Sequence, residues 1–377
     1  MSHPKSDKKI TIIIPCYNIE PYIDSCLHSV MSQNIIDKCQ VICINDGCTD
    51  KTPNIIQRYA KKYPKSVQIL EQYNKMGVAN LGVSKARNMA LDVACGETIM
   101  FVDGDDLIGQ HIEYTDLING VKIRPESIDR HYLEACYDTM LSHPESAMVT
   151  SGITFLTADG NTAYATLPQR TLLRELIGGK LDTPEKQLDF LNRRMTSCAT
   201  LYRNDIIQKY NIRFNPHFTY FEDTDFIMRY SLFANEKRPC IMTPIIQSSM
   251  NALYLYRRRP HSAMMKLSLH SERDIRRLER TKNKLIFYAQ LLSECAKRYG
   301  TTSFIYNKVA HRYIQTEKEM SEYSKYANKA EYNMLSNTCI PFYCLDCNNH
   351  NCGTCEYGKK LSTAYRKCLR NLQIKTK

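Results

Sequence analysis

Three aspartates crowd together at one point of the chain, in the stretch MFVDGDDLIG that holds Asp103, Asp105 and Asp106. Carboxylates this close repel one another unless a positive charge lies between them, and a divalent cation is the usual partner. Hard oxygen ligands suit Mg²⁺ or Mn²⁺, and such an ion typically also binds the phosphate oxygens of a nucleotide diphosphate. The cluster therefore predicts a metal site at the end of a buried strand, and a solvated acidic turn that caps the next helix is the alternative.

Four cysteines near the end of the chain form two CxxC pairs in the stretch CLDCNNHNCGTC. They are Cys344, Cys347, Cys352 and Cys355. Paired CxxC motifs are typical of tetrahedral zinc sites, although the loop between these two pairs is unusually short. We predict a structural Zn²⁺ site that stabilises or docks rather than catalyses. Disulfides, an iron–sulfur cluster and free thiols are the alternatives, and His350 could replace one ligand.

The elements that must position the acidic cluster alternate between strands and helices. The runs KITIIIPCYN, CQVICIND, VQILEQ and ETIMFVD read as strands, and segments with helical spacing of apolar residues separate them. Short connections between such elements predict a mostly parallel sheet with helices on both faces. Ligands bind such sheets at the carboxyl ends of the strands, and the polar clusters 16–18, 45–50 and 103–106 fall there. Further along, we predict helices over 128–142 and 271–299.

Composition limits the classes of protein that fit. A chain of 377 residues with 43% hydrophobic content can form one large core with an appended domain, or two domains. The net charge of +12 favours polyanions, phosphorylated ligands or an anionic membrane surface as partners. The 16 cysteines are scattered, and no signal peptide is visible, so we expect reduced thiols in a cytoplasmic protein. Membrane contact would be peripheral, because no apolar run approaches about 18 residues.

Five segments together resemble the family 2 glycosyltransferases. TIIIPCYN, VICINDGCTD, GVSKARNMAL, FVDGDD and YFEDTDF stand in the order and approximate spacing of that family. The resemblance implies an α/β fold of the GT-A type, with a Rossmann-like, mostly parallel sheet flanked by helices. A C-terminal helical and Cys-rich extension follows here. The chain departs from the family at Asn45, which stands where the first of two acids is usual, whereas Asp46 keeps the second.

The resemblance also implies the residues that bind the donor. Pro15, Tyr17 and Asp46 would line the nucleoside pocket, with Tyr17 near the base and Asp46 accepting from a base N–H such as that of uracil. Arg87, next to Asn88, would support the donor side of the cleft. A half-buried aromatic at a strand end is the alternative for Tyr17, and a surface cation of a helix is the alternative for Arg87.

By the same resemblance, Asp223 is the general base and Glu222 is its neighbour near the acceptor. A sugar hydroxyl that attacks an anomeric carbon loses its proton in the transition state, and a positioned carboxylate can take that proton. The leaving group needs charge stabilisation instead, which a metal at Asp105 would supply. The alternative is structural, because EDTDFIMRY is also an acid-rich first turn of a helix.

The stretch YLYRRRPHSAMM resembles the loop that closes over the donor diphosphate in this family. Arg258, His261 and Ser262 would meet phosphate oxygens there, since guanidinium groups bind them in a bidentate manner. Residues 256–284 carry ten Lys or Arg against three acids, a net charge of +7. A phosphate clamp, a solvated helix face and a patch for anionic lipid headgroups are the options, and we assign most of these residues to the solvated face.

These observations predict an inverting glycosyltransferase that uses Mn²⁺ or Mg²⁺. It would move a hexose or N-acetylhexosamine from a UDP-sugar to a hydroxyl of a glycan or lipid-linked acceptor in bacterial surface polysaccharide synthesis. We expect it in the cytoplasm, in contact with the inner face of the membrane. The expected divisions are a nucleotide-sugar-binding half (1–110), an acceptor-binding half with the base (111–265), a helical extension (266–335) and a Cys-rich tail (336–377).

Two rival functions remain open. A sugar-phosphate nucleotidyltransferase would share the sheet and the metal, but its glycine-rich, basic phosphate loop is absent, because PCYNIEPY stands after the first strand. A zinc-containing nucleic-acid-binding protein would fit the basic charge. That function leaves both acidic clusters unexplained, so we expect no nucleic acid among the partners.

Overall fold

A computed structural model describes most of the first half of the chain and separate parts of the second. The described residues are 7–72, 80–112, 125–144, 146–157, 163–164, 196–218, 221–234, 243–244, 252–259, 280–291, 309, 312–313, 316, 343–344 and 349–350. The chain divides into two compact units. The first comprises Met1–Pro216 and Glu222–Met265, and the second comprises His217–Phe221 and Lys266–Lys377. Both acidic clusters belong to the first unit.

The first unit begins with alternating strands and helices. In chain order they are β1 (Ile10–Cys16), α1 (Glu20–Met31), a 3-10 turn (Ile36–Lys38), β2 (Cys39–Asn45), α2 (Thr52–Lys62), β3 (Val67–Glu71), α3 (Val83–Val93) and β4 (Thr98–Phe101). Nearly every side chain of β1 and β2 is buried, on both faces of the sheet. This is the burial expected of parallel strands that helices cover on both sides.

A seven-stranded sheet forms the centre of the first unit, in the order β11-β7-β10-β4-β1-β2-β3. Its remaining strands are β7 (Met148–Thr150), β10 (Thr200–Arg203) and β11 (Thr243–Pro244). The neighbours of β1 and β2 all pair in parallel, and β11 is parallel to β7. Only β10 runs against its neighbours β4 and β7 among these described strands. The predicted α/β fold with a mostly parallel sheet and flanking helices is therefore confirmed.

A second sheet of the first unit, in the order β6-β5-β12-β8-β9, was not predicted from the sequence. Its strands are β5 (Leu107–Ile112), β6 (Pro125–Ile128), β8 (Ile153–Leu156), β9 (Ala163–Tyr164) and β12 (Ala252–Arg257). The pairing of β5 with β12 shifts register between Leu253 and Leu255. Gly109 lies opposite this shift with a φ of 62°, which favours glycine. Because β4 belongs to the large sheet and β5 to this one, the turn that carries the three aspartates joins the two sheets.

Three more helices complete the first unit: α4 (Tyr132–Ser142), α5 (Asn204–Lys209) and α6 (Glu222–Ala234). The helix predicted over 128–142 thus begins four residues later, because residue 128 still belongs to β6. A buried cluster of rings attaches α6 to the sheet. Phe226 of α6 stacks on Phe214 with 4.3 Å between ring centroids, and both rings meet Phe101 of β4 edge-on. Each such pair contributes about 0.5–1.5 kcal/mol beyond its buried area, so the start of α6 is held near the end of β4.

In the second unit, residues 280–291 are helical, and Phe287 of this helix packs against Phe221 with 5.3 Å between ring centroids. The helix predicted over 271–299 is confirmed for these residues, and its two ends lie outside the described residues. Two short antiparallel strands, β13 (Tyr343–Cys344) and β14 (Asn349–His350), fall within the Cys-rich tail. Within the described parts of the chain, no helix has the length and apolar character needed to cross a membrane.

Candidate active site

The acidic turn leaves β4 at Asp103 and enters β5 at Leu107. A hydrogen bond from the Asp106 amide to the Asp103 carbonyl, 2.9 Å long, closes the turn. At Gly104 the turn lies against α1 and β1. A Cβ atom here would stand 2.4 Å from Cδ1 of Ile19 and 3.2 Å from the carbonyl oxygen of Pro15. A side chain larger than that of glycine at the second position of DGDD would therefore force the Ile19 side chain to move.

A buried arginine joins the two acidic clusters. Arg87 of α3 is only 2% exposed, and its NH2 and NH1 atoms donate 2.8 Å hydrogen bonds to Oδ1 of Asp103 and Oδ1 of Asp223. Its guanidinium also lies 5.0 Å from the centroid of the Phe214 ring. Burial alone would lower the pKa of Arg87, but the carboxylates of Asp223 and Asp103 raise it well above its usual value. Arg87 is thus a permanent cation between the clusters.

Asp223 and Glu222 open α6, where the positive end of the helix dipole favours acids. Oδ1 of Asp223 accepts a second hydrogen bond from the Ser197 hydroxyl, 2.8 Å away. Burial raises the pKa of Asp223, and its ion pair with Arg87 opposes that rise. Burial, reinforced by the nearby Asp223 charge, raises the pKa of Glu222 to about 8. The two neighbouring acids therefore differ in their partners: Asp223 has a direct ion pair with Arg87, and Glu222 is the acid whose pKa rises to about 8.

Asp105 forms an ion pair with Arg259, with 2.5 Å between Oδ2 and Nε. Burial raises the pKa of the Asp105 carboxyl, Arg259 opposes the rise and Asp103 adds to it. Two crowded, partly desolvated carboxylates of this kind form a hard-oxygen donor set that suits Mg²⁺ or Mn²⁺, particularly when phosphate oxygens complete the coordination. The residues present therefore fit a cation held by Asp103 and Asp105.

Asp106 lies in a different environment from the other two aspartates. It is 1% exposed, and both its carboxylate oxygens accept hydrogen bonds from β12: Oδ2 from the Tyr254 hydroxyl at 2.6 Å and Oδ1 from the Arg257 amide at 2.7 Å. Protein donors thus engage both oxygens of Asp106, the third aspartate of the predicted metal site, and its place among the ligands stays a prediction. No set of three or more His, Cys, Asp or Glu side chains is arranged to hold a metal ion within the described residues.

The residues predicted for the nucleoside pocket lie at the ends of two adjacent strands. Pro15 is in β1, Tyr17 follows that strand with 43% of its surface exposed, and the Asp46 amide donates to the Cys16 carbonyl at 2.9 Å. The Asp46 side chain is buried and accepts from the amides of Leu81 and Gly82. The side chain of Gln72 donates to the same carboxylate. Burial raises the pKa of Asp46, and these hydrogen bonds oppose the rise. Asp46 thus holds the start of α3 beside the strand ends.

The asparagine at position 45, where the resembling family usually has an acid, has a local explanation. The Asn45 amide group donates to Oε2 of Glu71 at 2.7 Å, and its oxygen accepts from the Cys48 amide at 2.9 Å. A carboxylate at this position would repel Glu71 instead of binding it. The Asn45 side chain therefore forms hydrogen bonds with both the end of β3 and the turn after β2.

The three consecutive arginines at and after the end of β12, Arg257 to Arg259, point in alternate directions. Arg257 and Arg259 both lie over the ring of Tyr22, 5.1 and 5.8 Å from its centroid, beside the acidic turn. Arg258 stacks instead on Phe155, 4.1 Å from that ring centroid. The structure thus brings Arg259 to Asp105, and the predicted contact of Arg258 with phosphate oxygens stays a prediction. The alternation of a strand continued through RRR was the signal that could have separated them.

Several predicted residues lie outside the described residues, and several contributing residues were missed. His261, Ser262, Cys347, Cys352 and Cys355 lie outside them, and only the backbone of Cys344 is described. The missed residues are Ser197, which bonds Asp223, and Tyr254, which bonds Asp106. Both contacts join distant parts of the chain, so no local sequence pattern indicates them.

Comparison with known proteins gives one family match and several curated relatives. Residues 11–125 match glycosyl transferase family 2. The uncharacterized glycosyltransferase EpsJ of Bacillus subtilis is 26% identical over 253 residues, which cover 67% of this chain and 62% of EpsJ. Poly(ribitol-phosphate) beta-glucosyltransferase of Bacillus spizizenii is 40% identical over 102 residues, 27% of this chain and 15% of the relative.

TarS, the poly(ribitol-phosphate) beta-N-acetylglucosaminyltransferase of Staphylococcus aureus, is 28% identical over 228 residues, 60% of this chain and 33% of TarS. The matches thus span less than two thirds of the length of these three curated relatives. Among solved structures, S. aureus TarS 1–349 in complex with UDP-GlcNAc aligns with a TM-score of 0.49 and 18% identity, over 98% of this chain and 90% of that one.

Proposed function

We propose that this chain is an inverting glycosyltransferase of family 2 that uses a UDP-sugar, because residues 11–125 match glycosyl transferase family 2. This match supports the resemblance carried by the sequence motifs. The observation that best supports the proposal is the pair of hydrogen bonds from Arg87 to Asp103 and Asp223. One buried cation holds a donor-side carboxylate and a candidate base at a fixed separation, as a direct displacement requires.

In this proposal the donor binds along the strand ends. Tyr17 stacks on the base, and Asp46 keeps the start of α3 in place while presenting its carboxylate to the base N–H. Asp103 and Asp105 would hold Mg²⁺ or Mn²⁺, which would supply charge stabilisation to the leaving diphosphate. Arg259, which neutralises Asp105 in the structure, is the described arginine nearest the acidic turn that can turn to a phosphate oxygen.

Asp223 is the proposed general base. Arg87 and Ser197 both engage its Oδ1, so Oδ2 is the oxygen that we propose takes the proton of the acceptor hydroxyl. Arg87 also opposes the rise that burial causes in the pKa of Asp223. Glu222, protonated near neutral pH, would donate a hydrogen bond to the acceptor rather than compete for its proton. Attack by the activated hydroxyl inverts the anomeric centre, so an α-linked donor would give a β-linked product.

The proposed acceptor is a hydroxyl of a surface glycan or of a lipid-linked intermediate at the inner face of the membrane. Two relatives act, by their names, on poly(ribitol-phosphate), and another is a teichoic acid poly(glycerol phosphate) polymerase. The net charge of +12 supports an anionic acceptor of that general kind. The donor sugar is proposed as a hexose or N-acetylhexosamine.

A screen of nucleotide-sugar hydrolysis, with manganese and with chelator, tests this function. We expect one UDP-sugar to be hydrolysed above the others with manganese, and Asp105→Ala to abolish the rise in UDP affinity that manganese causes. Equal UDP binding by the wild type with and without manganese would contradict the metal site. Turnover of a sugar phosphate with UTP, without transfer from any UDP-sugar, would instead support the nucleotidyltransferase alternative.

A further inference from the structure

A hydroxyl group from the second sheet is buried against the acidic turn. Tyr254 of β12 is 0% exposed, and its hydroxyl makes two hydrogen bonds to the turn. It donates to Oδ2 of Asp106 at 2.6 Å and accepts from the amide of Asp103 at 3.1 Å. The two partners stand at opposite ends of the turn, so this single hydroxyl fixes its span.

Arg257 adds two further bonds between the same strand and the same turn. Its amide donates to Oδ1 of Asp106 at 2.7 Å, and its Nε donates to the carbonyl oxygen of Asp105 at 2.8 Å. The acidic turn is therefore tied to β12 at Asp103, Asp105 and Asp106. Tyr254 and Arg257 are not acids themselves, and their hydrogen bonds fix the positions of the aspartates in the turn.

The register shift between β5 and β12 explains how Tyr254 reaches the turn. The shift falls between Leu253 and Leu255, and Tyr254 is the residue between them. Shifts of this kind turn a side chain away from the regular direction of its strand. Gly109, at a φ of 62°, provides the extra length on β5 that the shift requires.

From these contacts we infer that Tyr254 and Asp106 form a buried latch that sets the position of the Asp103 and Asp105 carboxylates and thereby the affinity for the metal-bound donor. Asp106 is a positioning residue in this account, not a ligand. The inference rests on the proposed function, because it concerns the same metal and diphosphate. Side chains that orient metal ligands through hydrogen bonds typically change metal affinity by about 10-fold to 100-fold when they are removed.

Tyr254→Phe removes the latch hydroxyl and keeps the ring, and the structure offers a closely matched control. The Tyr230 hydroxyl is also on a 0% exposed residue, donates to the Ala147 carbonyl at 2.6 Å and accepts from the Arg203 amide at 2.9 Å. Tyr230→Phe therefore also loses one accepted and one short donated buried hydrogen bond, together with a longer 3.5 Å contact to the Arg203 carbonyl, all away from the acidic turn. Any general effect of a lost buried hydroxyl should appear in both variants.

The measurement is UDP affinity by calorimetry in the full-length chain, with saturating manganese and with chelator, alongside the melting temperature. We expect Tyr254→Phe to reduce the manganese-dependent gain in UDP affinity about 10-fold, while its metal-free UDP affinity stays within about twofold. Tyr230→Phe should keep the full gain at a similar melting temperature. An equal gain in both variants would overturn the latch.

Asp106→Asn is a second variant that tests the latch if Tyr254→Phe does not fold. Asparagine keeps an oxygen for the Arg257 amide but replaces the acceptor of the Tyr254 hydroxyl by an NH₂ group. We expect the same loss of the manganese-dependent gain, and retention of the full gain would overturn the latch. A wild type that does not bind UDP at all would contradict the proposed function instead, so the two failures are distinguishable.

Discussion

Arg87 is the residue on which the two acidic clusters depend. The acids of the two clusters would be costly to bury together without a counter-ion, and Arg87 donates one hydrogen bond to each cluster. Its planar guanidinium group suits this role, because two nitrogens in fixed geometry can each donate to a different carboxylate. A lysine has one ammonium group on a flexible stem and cannot reproduce that geometry.

Arg87→Lys should therefore lower both stability and transfer. We expect a loss of roughly 1–3 kcal/mol in the free energy of unfolding, the range for one lost charged hydrogen bond in a buried site. Arg58→Lys is the control, because the Arg58 pair with Asp24 is exposed and such pairs contribute about 0–1 kcal/mol. Urea denaturation checks both variants. Equal losses in the two would show that Arg87 is not the bridge described here.

Glu222 gives a prediction about pH. A carboxyl whose pKa is higher in the folded chain binds its proton more tightly there, so stability falls as the pH rises from the unfolded to the folded pKa. For Glu222 this window runs from the usual 4.5 to about 8. Glu222→Gln imitates the protonated acid and should be free of this loss.

The melting temperatures of wild type and Glu222→Gln at several pH values test that window. We expect the two to agree most closely near pH 4.5 and the variant to become progressively more stable than the wild type towards pH 8. Other titrating groups are shared by the two proteins and cancel in the difference. A difference that does not change with pH would mean that the Glu222 carboxyl is not held protonated by its surroundings.

At the scale of the elements, the decisive feature is the turn between β4 and β5, which joins the two sheets. It lies against α1 at Gly104 and against β12 at Asp106, so two packed elements enclose it. Such enclosure holds carboxylates in position without a metal, and pre-organised ligands bind at lower cost.

Gly104→Ala should disturb this turn in a way that a second substitution relieves. The added methyl group would stand 2.4 Å from Cδ1 of Ile19, an atom that valine lacks. We expect Gly104→Ala to cost about 1–3 kcal/mol, the usual range for overpacking. Ile19→Val by itself should cost about 0.5–1.5 kcal/mol. The double variant should then be more stable than the sum of the two losses predicts, and simple additivity in denaturant titrations would contradict this packing.

The sequence predicts the βα units well and the second sheet not at all. The runs that become β1 to β4 are continuous and β-branched, and helical spacing follows them within a few residues, so local periodicity is enough. β5 and β12 pair across a long interval of chain, with Tyr254 and Asp106 separated by 148 positions. Pairings of that range depend on packing that single-sequence patterns do not express.

The same limit explains which site residues could be predicted. The acidic clusters can be recognised in the sequence, because like charges that crowd at strand ends require a cation or a basic side chain nearby. The bridge from Arg87 to Asp223 spans 136 positions, and only the resemblance to the family brought both residues into the site. The different environments of Asp103, Asp105 and Asp106 depend on neighbours from α3, α1 and β12, which the order of residues in DGDD does not indicate.

At the scale of the whole molecule, the zinc site predicted in the Cys-rich tail is independent of the catalytic proposal. We expect about one equivalent of zinc per chain, lost in the double variant Cys344→Ser with Cys347→Ser, which should be less stable but still bind UDP. Metal analysis of purified protein and thiol titration check this. No zinc in the wild type, with all four tail thiols titrating freely, would contradict the prediction.

The central claim is that Asp223 is the base of the transfer reaction, and Asp223→Asn tests it most directly. Asparagine keeps the size of the side chain, can accept from Arg87 and Ser197, and caps a helix about as well as aspartate, so folding should change little. Once the donor is known, the measurement is the rate of sugar transfer beside the manganese-dependent affinity for the UDP-sugar. The account predicts a rate lower by about 10² to 10⁴ with donor affinity nearly unchanged. A variant that folds, binds the donor and transfers sugar at the wild-type rate would contradict it.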